Sequence, residues 1–173
     1  ETAVRVAAGA VAKKWLSDNL TIQIQGCLAQ LGEHTVPIED WTWVNKNPFF
    51  AASKATVKTL EDYLERVRAD RNSVGAKIYV QALNVPVGLG EPIFSRLDAD
   101  IASAMMSINA TKGVEIGTGF KSVTQLGTEH SDEMTKKGFR KNNAGGILRG
   151  ISTGQNIEVN VAFKPTSSIP QDR

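Results

Sequence analysis

Ile157-Glu158-Val159-Asn160-Val161-Ala162-Phe163 is the stretch on which the fold class turns. Apolar residues at 157, 159 and 161 alternate with polar ones at 158 and 160, so in an extended chain they stand on opposite faces, one for a core and one for solvent. A strand inside a fully covered parallel sheet would instead read as a continuous apolar run. The same period of two recurs in Thr21-Ile22-Gln23-Ile24-Gln25, continued through Leu28 between Gly26 and Gly32. It recurs again over 74–83, where Ile78 and Val80 alternate with Lys77 and Tyr79. Shorter strands are expected at 114–116 and 120–126, around glycines.

Between these stretches, apolar residues return at helical spacing. Val4, Ala7, Ala8, Val11 and Trp15 predict a first helix with one buried face, stopping near Asp18-Asn19. Val57, Leu60, Leu64 and Val67 predict an amphipathic helix over 53–70 capped by Ser53, and Ile93, Leu97, Ile101 and Met105 another over 92–106, entered through Pro92. The segment 35–50 holds Pro37, Pro48 and two of the three tryptophans, which predicts a loop with one short element. Residues 127–140 read as a polar surface loop holding His130. Half-buried strands mixed with helices along the whole length indicate an α+β fold, antiparallel sheets covered on one face by helices, and the length is that of a single domain, 1–173.

Twenty Lys and Arg against 18 Asp and Glu leave a net charge of +2, too little to favour nucleic acid or an anionic membrane. The pairs Lys13-Lys14 and Lys136-Lys137 are isolated and read as solvated faces. No apolar stretch is long enough to span a bilayer, and the first residues lack a signal peptide's basic start and apolar core. The single cysteine, Cys27, lies among apolar neighbours and is expected to behave as a buried small hydrophobe in a reducing cytoplasm. The chain starts at Glu1 without a methionine, which points to processing or truncation.

Candidate chemistry is sparse. Only His34 and His130 are available as bases, neither sits in a nucleophile motif, and both read as surface histidines. One cysteine and two distant histidines never reach zinc spacing. Asp98 and Asp100 fall on different sides of their helix and read as exposed charge. Loop composition is more informative. Residues 83–91, 113–119 and 142–150 are rich in glycine, and Lys164-Pro165-Thr166-Ser167-Ser168 combines a cation, hydroxyls and a rigid turn. Together they suit a phosphorylated ligand, although each loop taken alone reads as an ordinary tight turn and none matches a P-loop or Rossmann fingerprint.

Several of these strings, in this order, resemble the chorismate synthase family: Val85-Pro86-Val87-Gly88-Leu89-Gly90-Glu91-Pro92-Ile93-Phe94, Leu97-Asp98-Ala99-Asp100, Met106-Ser107-Ile108-Asn109-Ala110, Lys112-Gly113-Val114-Glu115-Ile116-Gly117, Asn143-Ala144-Gly145-Gly146-Ile147 and Lys164-Pro165-Thr166-Ser167-Ser168-Ile169. The opening Glu1-Thr2 and Arg5-Val6-Ala7-Ala8-Gly9-Ala10 fits as well, so the resemblance spans the chain. It implies a layered sandwich of antiparallel β-sheets and helices. It also implies a lyase that converts 5-enolpyruvylshikimate 3-phosphate to chorismate and phosphate by anti elimination, with reduced FMN required although the reaction is redox neutral. NADPH would enter only indirectly, as a reductant of the flavin, and the family forms homo-tetramers. By the same resemblance Asn109, Ala110, Lys164, Pro165, Thr166, Ser167, Ser168 and the position held by Arg149 contact FMN.

Two departures from the family pattern stand out. Arg149 occupies a place where the family has glycine; if that glycine serves a positive φ or a close flavin approach, arginine weakens binding. Thr118 stands where an acidic residue is common. The resemblance also implies that the catalytic histidines and most substrate arginines precede Glu1, while a further arginine and an aspartate follow Arg173. The expectation is therefore an internal piece of the enzyme with no catalytic residue of its own, and the alternative is an inactive fragment that at most binds FMN or self-associates.

Overall fold

The computed structural model of the protein describes residues 1–170. In chain order α1 (Thr2–Leu20) is followed by β1 (Gln23–Leu31), β2 (His34–Thr35), α2 (Val57–Ala69), β3 (Ala76–Leu83), α3 (Leu97–Met106) and β4 (Thr111–Ile116). Next come α4 (Gly127–His130), β5 (Met134–Thr135), β6 (Gly138–Phe139), β7 (Ile147–Leu148), β8 (Ile151–Ser152) and β9 (Ile157–Phe163). One five-stranded sheet runs β2-β1-β3-β9-β4, and β5-β6 and β7-β8 are antiparallel ribbons of two strands each. β2 folds back antiparallel on β1, with Gln30 opposite Thr35. The class is α+β, as the strand alternation predicts. β9 carries that alternation into space: Ile157, Val159 and Val161 are buried, Glu158 and Asn160 half-buried.

The described residues form two compact units. One contains residues 26–79, 104–114 and the chain from Asn160 onward. Leu60, on the inner face of α2, is fully buried with Leu28, Leu31, Val36 and Ala51, against Phe49, Tyr63 and Ile78. A second cluster joins Cys27, Val44 and Ala52 to Trp41 and Tyr79. Cys27 is the buried hydrophobe expected, and burial pushes its thiol up to about 11. The loop 35–50 contains one short element, a 3-10 turn Trp41–Lys46 capped by the Asp40 carboxylate. The amide of Asn47 fixes the chain that follows, donating to Trp43 O and Ala51 O and accepting from Ala51 N at 3.0 Å. Ser53 makes no cap bond; it is buried, and a 3-10 turn Lys54–Thr56 separates it from the start of α2 at Val57.

The other unit contains residues 1–25, 80–103 and 115–159. Ile22, Val85, Ile147, Ile157 and Val159 are its buried apolar residues. Three expectations are corrected here. α1 forms and runs to Leu20, where Thr21 closes it in the left-handed region, but it buries none of its residues. Periodicity shows which side of a helix can pack, not that a partner is there. The helix expected from Pro92 begins only at Leu97, because Glu91 and Ser95 exchange both backbone hydrogen bonds (2.8 and 2.9 Å) and close 91–95 into a tight loop with Ile93 and Phe94 exposed. Residues 119–124 are a 3-10 helix rather than a strand. Phe120, Val123 and Leu126 recur every third residue, the period of that helix, and the Glu115 carboxylate accepts the Phe120 N–H at 2.9 Å. The loop 127–140 is less irregular than expected, since it holds α4 and the β5-β6 hairpin.

Candidate functional site

In the first unit, chain direction brings two of the flagged stretches together. β9 ends at Phe163, and the next residue, Lys164, donates its backbone N–H to Ala110 O at 2.9 Å, so the polar run leaves the sheet alongside the Asn109-Ala110 corner. Ala110 has φ 67°, the left-handed turn that leads into β4. The run is held from its other side. Ser73 Oγ donates to Thr166 O at 2.6 Å, and a Cβ on Gly75 would lie 2.6 Å from Phe163 O and 3.3 Å from Pro165 Cδ, so that close approach requires glycine.

Asn109, Ala110 and all five residues from Lys164 to Ser168 are exposed. Among the described residues the Lys164 ammonium reaches only its neighbour's carbonyl, Pro165 O, at 3.5 Å, the outer limit of a hydrogen bond, and is thus available to a ligand. Thr111, directly after Ala110, is buried with a hydroxyl that has no partner among the described residues. Pro165 also lines a cavity of about 320 Å³ with Gln30, Gly75, Lys77 and Ala162. An ammonium and exposed hydroxyls beside this cavity could hold an anionic, hydrogen-bonding ligand: Lys164 offers charge, Thr166 and Ser168 offer donors. A larger cavity of about 400 Å³, lined by Leu64, Arg68, Arg71 and Ser73 among others, carries none of the flagged residues.

In the second unit the glycine-rich loops fill one another at Gly117 and Gly145 and at Gly90 and Gly150. Gly117 and Gly145 meet backbone to backbone: a Cβ on Gly117 would lie 2.5 Å from Gly145 N, and one on Gly145 would lie 2.6 Å from Gly117 Cα. Gly117 N bonds Glu158 O and Thr118 N bonds Asn143 O, both at 2.9 Å, which fixes the approach. Ser152, almost fully buried, clamps the loop 85–90: its hydroxyl donates to Pro86 O at 2.6 Å and accepts the Leu89 N–H at 2.8 Å. The Asp132 carboxylate accepts the N–H groups of Asn143 and Ala144 at 2.7 and 2.9 Å. Sequence reasoning passed over both Ser152 and Asp132, which carry no motif.

Arg149 belongs to this unit. β7 and β8 pair Leu148 with Ile151, leaving Arg149-Gly150 as a two-residue hairpin loop with φ 52° and 83°. Positive φ at both positions is the signature of a type I′ turn, for which Asn-Gly is preferred and arginine is strained. The guanidinium is exposed.

The histidines are more enclosed than expected. His34 is half-buried, edge-on to Tyr63 with ring centroids 4.6 Å apart. His130 is half-buried with Nδ1 2.9 Å from Gln125 Oε1, and it lines a cavity of about 340 Å³ with Asp98, Thr118, Ser122 and Asn143. Asp98 is likewise not free surface charge: the Arg96 guanidinium beside it, 3.1 Å from Nε to Oδ1, holds its carboxyl below the usual range. No helix among the described residues is long and apolar enough to cross a membrane, and no cluster of candidate metal ligands occurs among them.

By fold and site this is an α+β protein that presents an ammonium and hydroxyls at the end of a sheet strand. The chain belongs to the chorismate synthase family, whose sequence model it matches over residues 1–173. It is 61% identical to the chorismate synthase of Methylobacillus flagellatus over 173 residues, all of this chain and 48% of that protein. It is 63% identical to that of Cupriavidus pinatubonensis over 172 residues, 99% of this chain and 46% of that one. A crystal structure of a chorismate synthase superposes with a TM-score of 0.89 at 35% identity, covering 97% of this chain and 56% of the other. The chain thus spans about half the length of the curated relatives it matches.

Proposed function

We propose that this chain is the cofactor-facing portion of a chorismate synthase, a cytoplasmic homo-oligomeric lyase that removes phosphate from 5-enolpyruvylshikimate 3-phosphate by anti elimination to give chorismate. The family match along the whole chain supports the reaction class. The observation that carries the site is the 2.9 Å hydrogen bond from Lys164 N to Ala110 O, which joins the two stretches the family pattern associates with FMN.

Reduced FMN, when bound, would supply the reducing electron that a redox-neutral C–O cleavage borrows and returns, with NADPH relevant only as a reductant of free or bound flavin. The chain's own part is binding and orientation. Lys164 Nζ neutralises negative charge on the phosphate or the reduced ring; Thr166 and Ser168 hydroxyls donate to ring or phosphate oxygens; the strained Ala110 turn sets the corner against which the run is registered. No residue of this chain is assigned a proton-transfer step.

The test is chorismate formation from 5-enolpyruvylshikimate 3-phosphate and reduced FMN by a full-length polypeptide carrying this sequence. Lys164→Ala is expected to raise the FMN concentration for half-maximal rate by roughly tenfold, the loss of one charge-assisted hydrogen bond. An unchanged flavin requirement would remove Lys164 from the site, and absence of chorismate from the unsubstituted full-length protein would remove the reading altogether.

A further inference from the structure

The C-terminal end of α2 opens on a cavity that the flavin reading leaves unused. Leu64, Val67, Arg68 and Arg71 are spaced i, i+3, i+4 and i+7, the intervals that gather side chains on one side of a helix. All four line a cavity of about 400 Å³ within the first unit, with Val74 and Pro170 completing its wall. The floor is apolar and fixed, since Leu64 and Val74 are half-buried and pack against the cluster around Leu60. The rim is cationic. Arg68 and Arg71 are exposed, and among the described residues neither guanidinium takes part in an ion pair or a hydrogen bond. Arg66, by contrast, lies over the Tyr63 ring at 5.8 Å. Arg71 also stands where another residue would sit more easily. It closes α2 at φ 50°, its N–H donating to Arg68 O at 2.9 Å and the Asn72 N–H to Val67 O at 3.0 Å, the helix ending for which glycine is preferred.

We propose that this cavity binds a small ring-bearing carboxylate, with the ring on Leu64, Val67 and Val74 and the carboxylate held by Arg68 and Arg71. A planar guanidinium meets a carboxylate with two parallel N–H···O bonds and can lay its face on a ring. A bare inorganic anion would leave the apolar floor uncovered. The negative end of the α2 dipole lies at the same place, and it opposes a dianion such as phosphate more than a monoanion. None of Asn109, Ala110 and the residues 164–168 lines the cavity, so the inference needs neither the flavin corner nor the lyase reaction.

Equilibrium dialysis of radiolabelled benzoate against the 173-residue chain is the test. The expected result is one saturable site with a Kd of about 1 mM or below, in keeping with a ligand of so few atoms. Arg68→Ala and Arg71→Gly should each weaken binding roughly tenfold, the loss of one charge-assisted contact, and Lys164→Ala should leave it unchanged. Because glycine suits φ 50°, Arg71→Gly should melt no lower than the parent, which separates a lost contact from a lost fold. Should it melt lower, Arg68→Ala decides the matter from an ordinary helical position. Benzyl alcohol and inorganic phosphate should each displace the label roughly tenfold more weakly than unlabelled benzoate, the one lacking the charge and the other the ring. Binding that never saturates overturns the inference, and so does an unchanged Kd in Arg68→Ala. Phosphate competing as well as benzoate overturns it too, because the site is then one for any anion. Weakening in Lys164→Ala alone would move benzoate to the flavin corner, so failure here and failure of the flavin reading are distinguishable.

Discussion

Two regions of this molecule look alike in sequence and differ in structure. The glycine-rich loops at 85–90, 113–119 and 142–150 and the polar run 164–168 both have the composition of a phosphate-binding site. In the first region protein takes the space that Gly117 and Gly145 free, since the two touch backbone to backbone, and the Ser152 hydroxyl ties the loop 85–90 to β8. In the second, the backbone is fixed by Ala110 and Ser73 while an ammonium and hydroxyls remain exposed. Glycine reports that something comes close. It does not report whether that something is ligand or chain, and exposed polar side chains on a fixed backbone are the better pointer to a ligand.

The comparison breaks most visibly at Gly145. Gly145→Ala forces a Cβ onto the Gly117 backbone at a position with φ 64°, and is expected to cost about 3 kcal/mol or more in urea unfolding, from overpacking and the left-handed backbone together. A loss below about 1 kcal/mol would mean that the loops are not packed as described. Lys164→Ala makes the opposite demand. Its side chain is exposed, so the melting temperature should stay within about 2 °C while FMN affinity falls roughly tenfold. A stability loss without an affinity loss would place Lys164 with the packing residues.

Arg149 lies between the two behaviours, a ligand-type side chain on a packing-type turn. Arg149→Gly is expected to stabilise the protein by about 1 kcal/mol by relieving φ 52° in the type I′ turn, and to tighten FMN binding. Unchanged flavin affinity would show that the turn conformation, and not flavin approach, is what glycine serves at this position.

The smallest effect concerns Cys27. Burial raises its thiol to about 11, above its ordinary 9.0, so the neutral form is favoured in the folded state. That contribution is complete below the unfolded value and is lost as pH climbs from about 9 towards 11. Cys27→Ser should therefore flatten the fall in stability over that window. A fall as steep in the variant as in the parent would assign it to other groups.

How much of this was legible in the sequence depends on which physical signal carried it. Strand alternation fixes β9 to the residue, because the pleat enforces period two wherever one face is covered. The start of α3 is not legible in the sequence, because Ile93 continues a helical stripe that the Glu91–Ser95 backbone exchange interrupts, and backbone pairing leaves no side-chain trace. Phe120, Val123 and Leu126 fit a strand only if period three is taken for period two. In the candidate site, the two stretches named from the family pattern in the first unit meet where Lys164 N bonds Ala110 O. The supports, Ser73 and Gly75, are invisible in the sequence, because their partners lie far along the chain, 93 residues on for Ser73, and are brought close only by folding.

The most direct test is a flavin fluorescence titration of FMN into this chain, run in parallel with Lys164→Ala. Saturable quenching with a Kd in the micromolar range or below, weakened roughly tenfold in Lys164→Ala at unchanged melting temperature, is the predicted result. Quenching that never saturates, or the same Kd in both proteins, would contradict the assignment of the 109–110 and 164–168 corner as the flavin site.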